Sequence, residues 1–221
     1  MNPIFDSALQ TAVEQSGVVA VLMVDRAADA VPLAQALLDG GVTVMELTLR
    51  TPAALDALRL IRREVPAMVA GIGTILTPEQ VDQAVDAGAA FGVSPGVNPA
   101  VVQAAVNKGL SFAPGVMTPS DIEQALALGC RLLKLFPAGL VGGLDYLKAV
   151  AAPYAHLGVK YIPLGGVNAA NMEAYLASPL VGAIGGSWIA DRKLIQAQDW
   201  AAITTNATEA MSLAHRVRPV G

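Results

Sequence analysis

The 221-residue sequence predicts an α/β protein built as a (β/α)8 barrel with one extra helix ahead of the first strand. Short runs rich in Val, Ile, Leu and Thr alternate with Ala-rich helical stretches along the whole chain, the pattern of repeated β-α units. These runs number eight, and eight units in a chain of this length match the compact end of the barrel range. The run RLLKLFPA at 131–138 is apolar on both faces, as in a parallel sheet covered by helices. An open doubly wound sheet is the alternative architecture. Either way the chain reads as one domain over 1–221.

Taken in order, the strands are expected at 18–24 (VVAVLMV), 43–48 (TVMELT), 67–72 (AMVAGI), 89–94 (AAFGVS), 110–114 (LSFAP), 131–136, 159–164 (VKYIPL) and 181–185 (VGAIG). Helices fall between them at 27–39, 52–63, 78–87, 98–108, 118–128, 143–151 and 168–177, with 199–216 after the last strand and the extra helix at 4–16. Thr51-Pro52, Thr77-Pro78, Asn98-Pro99 and Thr118-Pro119 each place an N-cap residue before a proline, whose missing N–H is harmless at the first helical position. Gly40, Gly88, Gly109 and Gly129 stand where helices should stop. A further short helix is expected around SWIA at 187–190.

Composition narrows the function. Charged residues make up 14 % and hydrophobic residues 54 %, so much of the chain must be buried, and a subunit interface is one place that could take part of it. The longest uncharged run, 87–107, is interrupted by Gly88, Gly92, Pro95, Gly96, Asn98 and Pro99, so it is not expected to be a spanning helix, and no leader-like segment opens the chain. A cytoplasmic location is expected, without membrane attachment. A net charge of −4 with few aromatic residues offers neither a basic stripe nor a stacking platform for nucleic acid. Cys130 is the single cysteine, and His156 and His215 lack ligand spacing, so no metal is expected. GIG at 71–73 lacks the third glycine of a dinucleotide site, so no nucleotide cofactor is expected either.

In a barrel of this kind, chemistry sits at the C-terminal ends of the strands. Lys134 lies in the middle of the sixth, on the face of Leu132 and Phe136, where its amine loses hydration. A desolvated amine is the nucleophile that forms a Schiff base with a ketone. Lys108, Lys148 and Lys193 fall in helical or loop stretches, and Lys160 starts the seventh strand at the opposite rim. Glu46, Thr48 and Arg50 share one parity on the second strand; an acid inside so apolar a strand needs a reason, which pairing with Lys134 would supply, the alternative being a structural carboxylate that bridges strands. The guanidinium of Arg50 suits a carboxylate or a phosphate. The exit of the third strand carries GIGT, ending in Thr74, and that of the fourth Ser94-Pro95-Gly96. Gly165-Gly166 and Gly185-Gly186-Ser187 then close the seventh and eighth, exposing backbone amides where this fold commonly binds phosphate. A phosphorylated substrate is therefore expected.

The set ELTLRTP at 46–52, GIGTILTPEQ at 71–80, SPG at 94–96, LKLFPA at 133–138, PLGGVN at 163–168 and GGSWIA at 185–190 resembles the 2-keto-3-deoxy-6-phosphogluconate (KDPG) and 4-hydroxy-2-oxoglutarate (KHG) aldolases over nearly the whole chain. The resemblance implies a TIM barrel, a homotrimer and a metal-independent, cofactor-free class I lyase of the Entner–Doudoroff pathway. Its substrate is cleaved to pyruvate and glyceraldehyde 3-phosphate. The same resemblance leaves 4-hydroxy-2-oxoglutarate, cleaved to pyruvate and glyoxylate, open as a further substrate. By the same resemblance Lys134 is the Schiff-base lysine and Glu46 the general acid/base. Arg50 and Thr74 hold the carboxylate of pyruvate, Pro95 and Phe136 line the pocket, and Gly165, Gly166 and Ser187 receive the phosphate. Leu164 stands where the family often has threonine, Ala20 where it often has proline, and Gly139 where it often has an acid. The Leu164 departure leaves the 6-phosphogalactonate epimer open as a main substrate. A non-catalytic barrel that binds a phosphorylated ligand is the reading from another class.

Overall fold

The computed structural model describes residues 4–218, so the first and last three residues of the expected 1–221 domain lie outside it. The strands are β1 (Val18–Leu22), β2 (Val44–Thr48), β3 (Val69–Gly73), β4 (Phe91–Val93), β5 (Ser111–Ala113), β6 (Gly115–Val116), β7 (Leu132–Leu135), β8 (Lys160–Pro163) and β9 (Ile184–Gly186). The α-helices are α1 (Ser7–Ser16), α2 (Ala30–Asp39), α3 (Ala54–Glu64), α4 (Pro78–Asp86), α5 (Pro99–Lys108), α6 (Pro119–Ala127), α7 (Gly143–Ala151), α8 (Met172–Leu176), α9 (Arg192–Ala197) and α10 (Trp200–Val217). All strand pairs are parallel, in a six-stranded sheet ordered β5-β4-β3-β2-β1-β9 and a three-stranded sheet ordered β6-β7-β8.

The division into two sheets corrects the expectation of eight unbroken strands, and it has two local causes. Pro114 has no N–H to give to a ladder, so the run at 110–114 is interrupted there and resumes as β6; the Pro114 carbonyl still accepts from Lys134 N at 3.0 Å. At the other junction the chain changes neighbours. Val181 forms an isolated parallel bridge with Tyr161, and three residues later Ile184 begins pairing with Val18, so β9 starts after the expected 181.

Alternation along the strands separates two apolar layers. Leu133 and Leu135 of β7 pack outward with Met45, Leu47, Ile72 and the buried faces of the helices. Leu132 faces inward with Val19, Val44, Phe91, Val93 and Ile162. Phe5, Leu9 and Val13, on and just before α1, pack into this inner cluster, which explains the extra helix. Each fully buried Leu or Ile contributes about 1.5–3 kcal/mol relative to exposure.

Three of the four expected Pro caps form. Thr77 and Thr118 make capping boxes with Gln80 and Asp121, and Asn98 accepts from Ala100 N; such caps are worth about 1 kcal/mol each. Thr51 does not cap: its hydroxyl is spent on the Val24 carbonyl at 2.5 Å, and α3 begins at Ala54. The region expected as a helix over 27–39 opens with a 3-10 turn at Ala27–Asp29, and the helix expected over 168–177 is limited to α8. The SWIA stretch is a turn, not a helix. Trp188 folds back over Gly186, filling the space a Cβ would need, and helical structure begins only at Arg192, where Asp191 caps α9 by accepting from Lys193 N at 2.8 Å.

Candidate active site

The ladders bring Glu46 and Lys134, 88 residues apart, to facing positions. In register, Glu46 is flanked by Val21 of β1 and Gly71 of β3, and Lys134 by Gly115 of β6 and Ile162 of β8. Lys134 Nζ donates to Glu46 Oε1 at 3.5 Å, with the two residues only 7 % and 2 % exposed. The length is at the edge of hydrogen bonding, so the pair is held by its surroundings as much as by its own contact. Phe136 lies beyond Lys134, its ring centroid 5.5 Å from Nζ, within cation–π range. One face of the pair closes a small apolar cavity of about 20 Å³ inside the inner cluster. The other face is the floor of a cleft of about 330 Å³ that opens at the C-terminal ends of the strands.

Glycine makes room for the carboxylate. A Cβ at Gly73 would overlap Glu46 Oε1 and lie 2.8 Å from its Cγ, so only glycine lets the acid lean over β3. Gly71 likewise admits the Phe91 ring. Immediately after Gly73, Thr74 adopts φ 63°, a left-handed conformation that a β-branched residue rarely takes. Such backbone costs on the order of 1–3 kcal/mol and collects at functional sites. Gly165 and Gly166 (φ 83° and 87°) make a turn that an L side chain would strain.

Of the nine residues singled out in the sequence, Lys134, Glu46, Arg50, Thr74, Pro95, Phe136, Gly165 and Ser187 line this one cleft. Gly166 does not; it packs behind the wall against Gly139. Arg50 is exposed at the mouth, and its guanidinium makes no hydrogen bond or ion pair with any described residue. A cleft arginine without a counter-ion is suited to an anionic ligand. Gly165 and Gly166 direct their carbonyls to Gly139 N and Asn171 Nδ2, whereas their amides are bound by no described residue. Among the described residues no group of three or more His, Cys, Asp or Glu side chains converges to hold a metal, and no helix is long and apolar enough to cross a membrane.

Sequence reading missed an acid–base pair at the cleft wall. Arg192 lines it, and its Nε and Nη2 grip Asp25 at 2.9 and 2.6 Å; Gln196 adds a third bond to Asp25 at 2.8 Å. The Arg192 hydrogen bond, helped by that of Gln196, holds the Asp25 carboxyl at about 2. No local signal joins residues 167 apart; the pairing of β9 with β1 does, because it sets the loops after those strands side by side.

The profile of the family described as "KDPG and KHG aldolase" matches residues 9–206. The chain is similar to the 2-dehydro-3-deoxy-phosphogluconate aldolase of Treponema pallidum, 41 % identical over 202 residues that cover 91 % of this chain and 95 % of that one. It is also similar to the KHG/KDPG aldolase of Escherichia coli K12, 41 % identical over 88 % of this chain and 90 % of that one. Among solved structures, KDPG aldolase from Legionella pneumophila, with pyruvate captured as a covalent carbinolamine intermediate, superposes with a TM-score of 0.86. It is 38 % identical, covering 90 % of this chain and 96 % of that one.

Proposed function

The chain belongs to the KDPG and KHG aldolase family, and on that premise we propose that it is a Schiff-base aldolase cleaving 2-dehydro-3-deoxy-6-phosphogluconate to pyruvate and glyceraldehyde 3-phosphate. 4-Hydroxy-2-oxoglutarate is a second substrate. The observation that carries this reading is the buried Lys134–Glu46 pair on the floor of a cleft whose mouth holds Arg50, unpartnered among the described residues.

Lys134 Nζ attacks the C2 ketone, and loss of water leaves a protonated imine that serves as electron sink. Glu46, directly or through one water, takes the proton of the C4 hydroxyl. The C3–C4 bond breaks, its electrons pass to the imine as an enamine, and the aldehyde leaves. Glu46 returns a proton to C3, and hydrolysis frees pyruvate, so one carboxyl acts as base and then as acid. Arg50 and Thr74 hold the carboxylate of the pyruvate half, Pro95 and Phe136 shape the pocket, and Gly165, Gly166 and Ser187 receive the phosphate. Gly166 acts by shaping the turn that presents its neighbour's amide. Leu164 contributes no hydroxyl to the cleft wall, and the ratio of kcat/KM for the gluconate- and galactonate-derived phosphates measures what that does to epimer preference.

The finer architecture is a closed (β/α)8 barrel in one domain. It is supported by the continuity of β5 into β6 through Pro114 and by the Tyr161–Val181 bridge between β8 and the approach to β9. A cytoplasmic homotrimer is the assembly the family resemblance implies, and the exposed side chains of Leu76, Met117 and Leu140 suit a subunit interface.

Incubation with pyruvate followed by borohydride reduction tests the reaction. Reduced pyruvate should appear on the peptide bearing Lys134 and vanish in Lys134→Ala. A folded protein that gains no mass with pyruvate in excess overturns the Schiff-base mechanism and brings forward a barrel that only binds a phosphorylated ligand.

A further inference from the structure

The wall of the cleft holds a cation that no part of this mechanism uses. Arg192 lines the same cleft as Ser187, Gly165 and Lys134, and its side chain is about half exposed (48 %). A guanidinium carries five N–H donors in a fixed fork. Asp25 engages Nε and Nη2, which leaves both N–H groups of Nη1 without a partner among the described residues. The ion pair therefore does not exhaust Arg192; it fixes the plane of the fork and keeps a two-donor edge available. The anchor is itself braced. Asp25 also accepts from Gln196, and Asp29 of the same β1-exit loop accepts from Arg26 and from Gln198, so two acids stitch that loop to the turn and helix after β9. Nearby Asp191, which lines the cleft as Glu46 does, has one carboxylate oxygen occupied by capping Lys193 N.

A substrate with a carboxylate at one end and a phosphate at the other needs a donor set at each. Arg50 supplies the first, and backbone amides and Ser187 alone would leave the more highly charged end without a cation. We propose that Arg192 binds the phosphate of the substrate through Nη1 and that Asp25 is the positioning residue that aims it, so that this pair sets the preference for phosphorylated over unphosphorylated 2-keto-3-deoxy acids. The inference rests on the aldolase reading given above and goes beyond it by naming the specificity determinant.

Steady-state cleavage of 2-keto-3-deoxy-6-phosphogluconate and of the same sugar acid without its phosphate tests it, in the unaltered chain, Arg192→Gln, Arg192→Lys and Asp25→Asn. A charge-assisted hydrogen bond is worth about tenfold or more in binding. Arg192→Gln should raise KM for the phosphorylated substrate about tenfold or more and change kcat less than about threefold. KM for the unphosphorylated acid should stay within about twofold. Arg192→Lys should retain part of the preference and Asp25→Asn should lose part of it. Equal KM changes on both substrates, or none, would overturn the inference. Borohydride trapping of pyruvate on Lys134 in each variant separates the causes. Normal trapping with an unaltered phosphate preference in Arg192→Gln removes this inference alone, whereas no trapping in the unaltered chain removes the aldolase reading and this inference with it. An effect of Arg192→Gln without any effect of Asp25→Asn would remove the positioning role of Asp25.

Discussion

Replacing Gly73 by alanine adds one methyl group at the place where the proposed general acid/base rests. That Cβ would overlap Glu46 Oε1 and approach Cγ to 2.8 Å. Carbon atoms at optimal contact are about 3.5–4.0 Å apart, so Cγ must retreat by about 0.7 Å or more and the carboxylate beyond it further. Gly73 is not in the left-handed region, so the substitution perturbs the acid by steric contact and not through the backbone. A misplacement of about 1 Å in a catalytic group costs on the order of 100-fold, and loss of general acid–base catalysis costs about 100- to 10,000-fold. Gly73→Ala should therefore lower kcat about 100-fold or more while imine formation at Lys134 persists, because the lysine is not touched. Overpacking at a buried site costs about 1–3 kcal/mol, or about 2–12 °C in Tm for a domain of this size. Three measurements suffice: kcat for cleavage, exchange of the pyruvate methyl protons, and borohydride trapping. Activity and proton exchange within twofold of the unaltered protein, in a variant of normal Tm, would refute the placement of Glu46 as the proton-transfer group.

Two further outcomes follow from the electrostatics. Asp25 titrates at about 2, held there chiefly by Arg192, against about 3.9 in an unfolded chain. Protonation thus favours the unfolded state, and the stabilising contribution of this pair is complete above about pH 4 and lost as pH falls towards about 2. Tm measured against pH should show Asp25→Asn below the unaltered protein at pH 5 and converging with it near pH 2; parallel curves would contradict the assignment. Burial raises the Cys130 thiol to about 12, so it stays protonated at pH 8 and lies shielded behind the outer layer. A thiol reagent should leave the native protein unmodified over hours and titrate one thiol after denaturation, and rapid native labelling would show that the Cys130 side opens.

Periodicity and chemistry carried most of the architecture and singled out the residue proposed to react. Eight β-type runs separated by helical stretches, two-faced apolar strands and Thr-Pro or Asn-Pro caps are local properties, dictated by side-chain alternation and by the donors a helix end leaves unpaired. A lysine and a glutamate written into otherwise apolar strands are conspicuous for the same reason: burying either alone is costly. Local rules failed where one segment's geometry is set by another. Thr51 looks like a cap in sequence, yet a carbonyl 27 residues earlier takes its hydroxyl. SWIA looks helical, yet the Trp188 ring occupies the space above Gly186 and delays the helix to Arg192.

The glycines of GIG at 71–73 show the division most clearly. From sequence they could only be weighed against a dinucleotide motif; in the fold they are the hollows that receive Phe91 and the Glu46 carboxylate. The strain at Thr74 and the grip of Asp25 on Arg192 have no sequence signal at all. The amino-acid order by itself determined which residues could not be exposed and which could not be buried unpaired. Tertiary structure alone decided which of them meet, because contacts across the inner space and between β9 and β1 depend on ladder register and on the space glycine leaves, neither of which is encoded within a single segment.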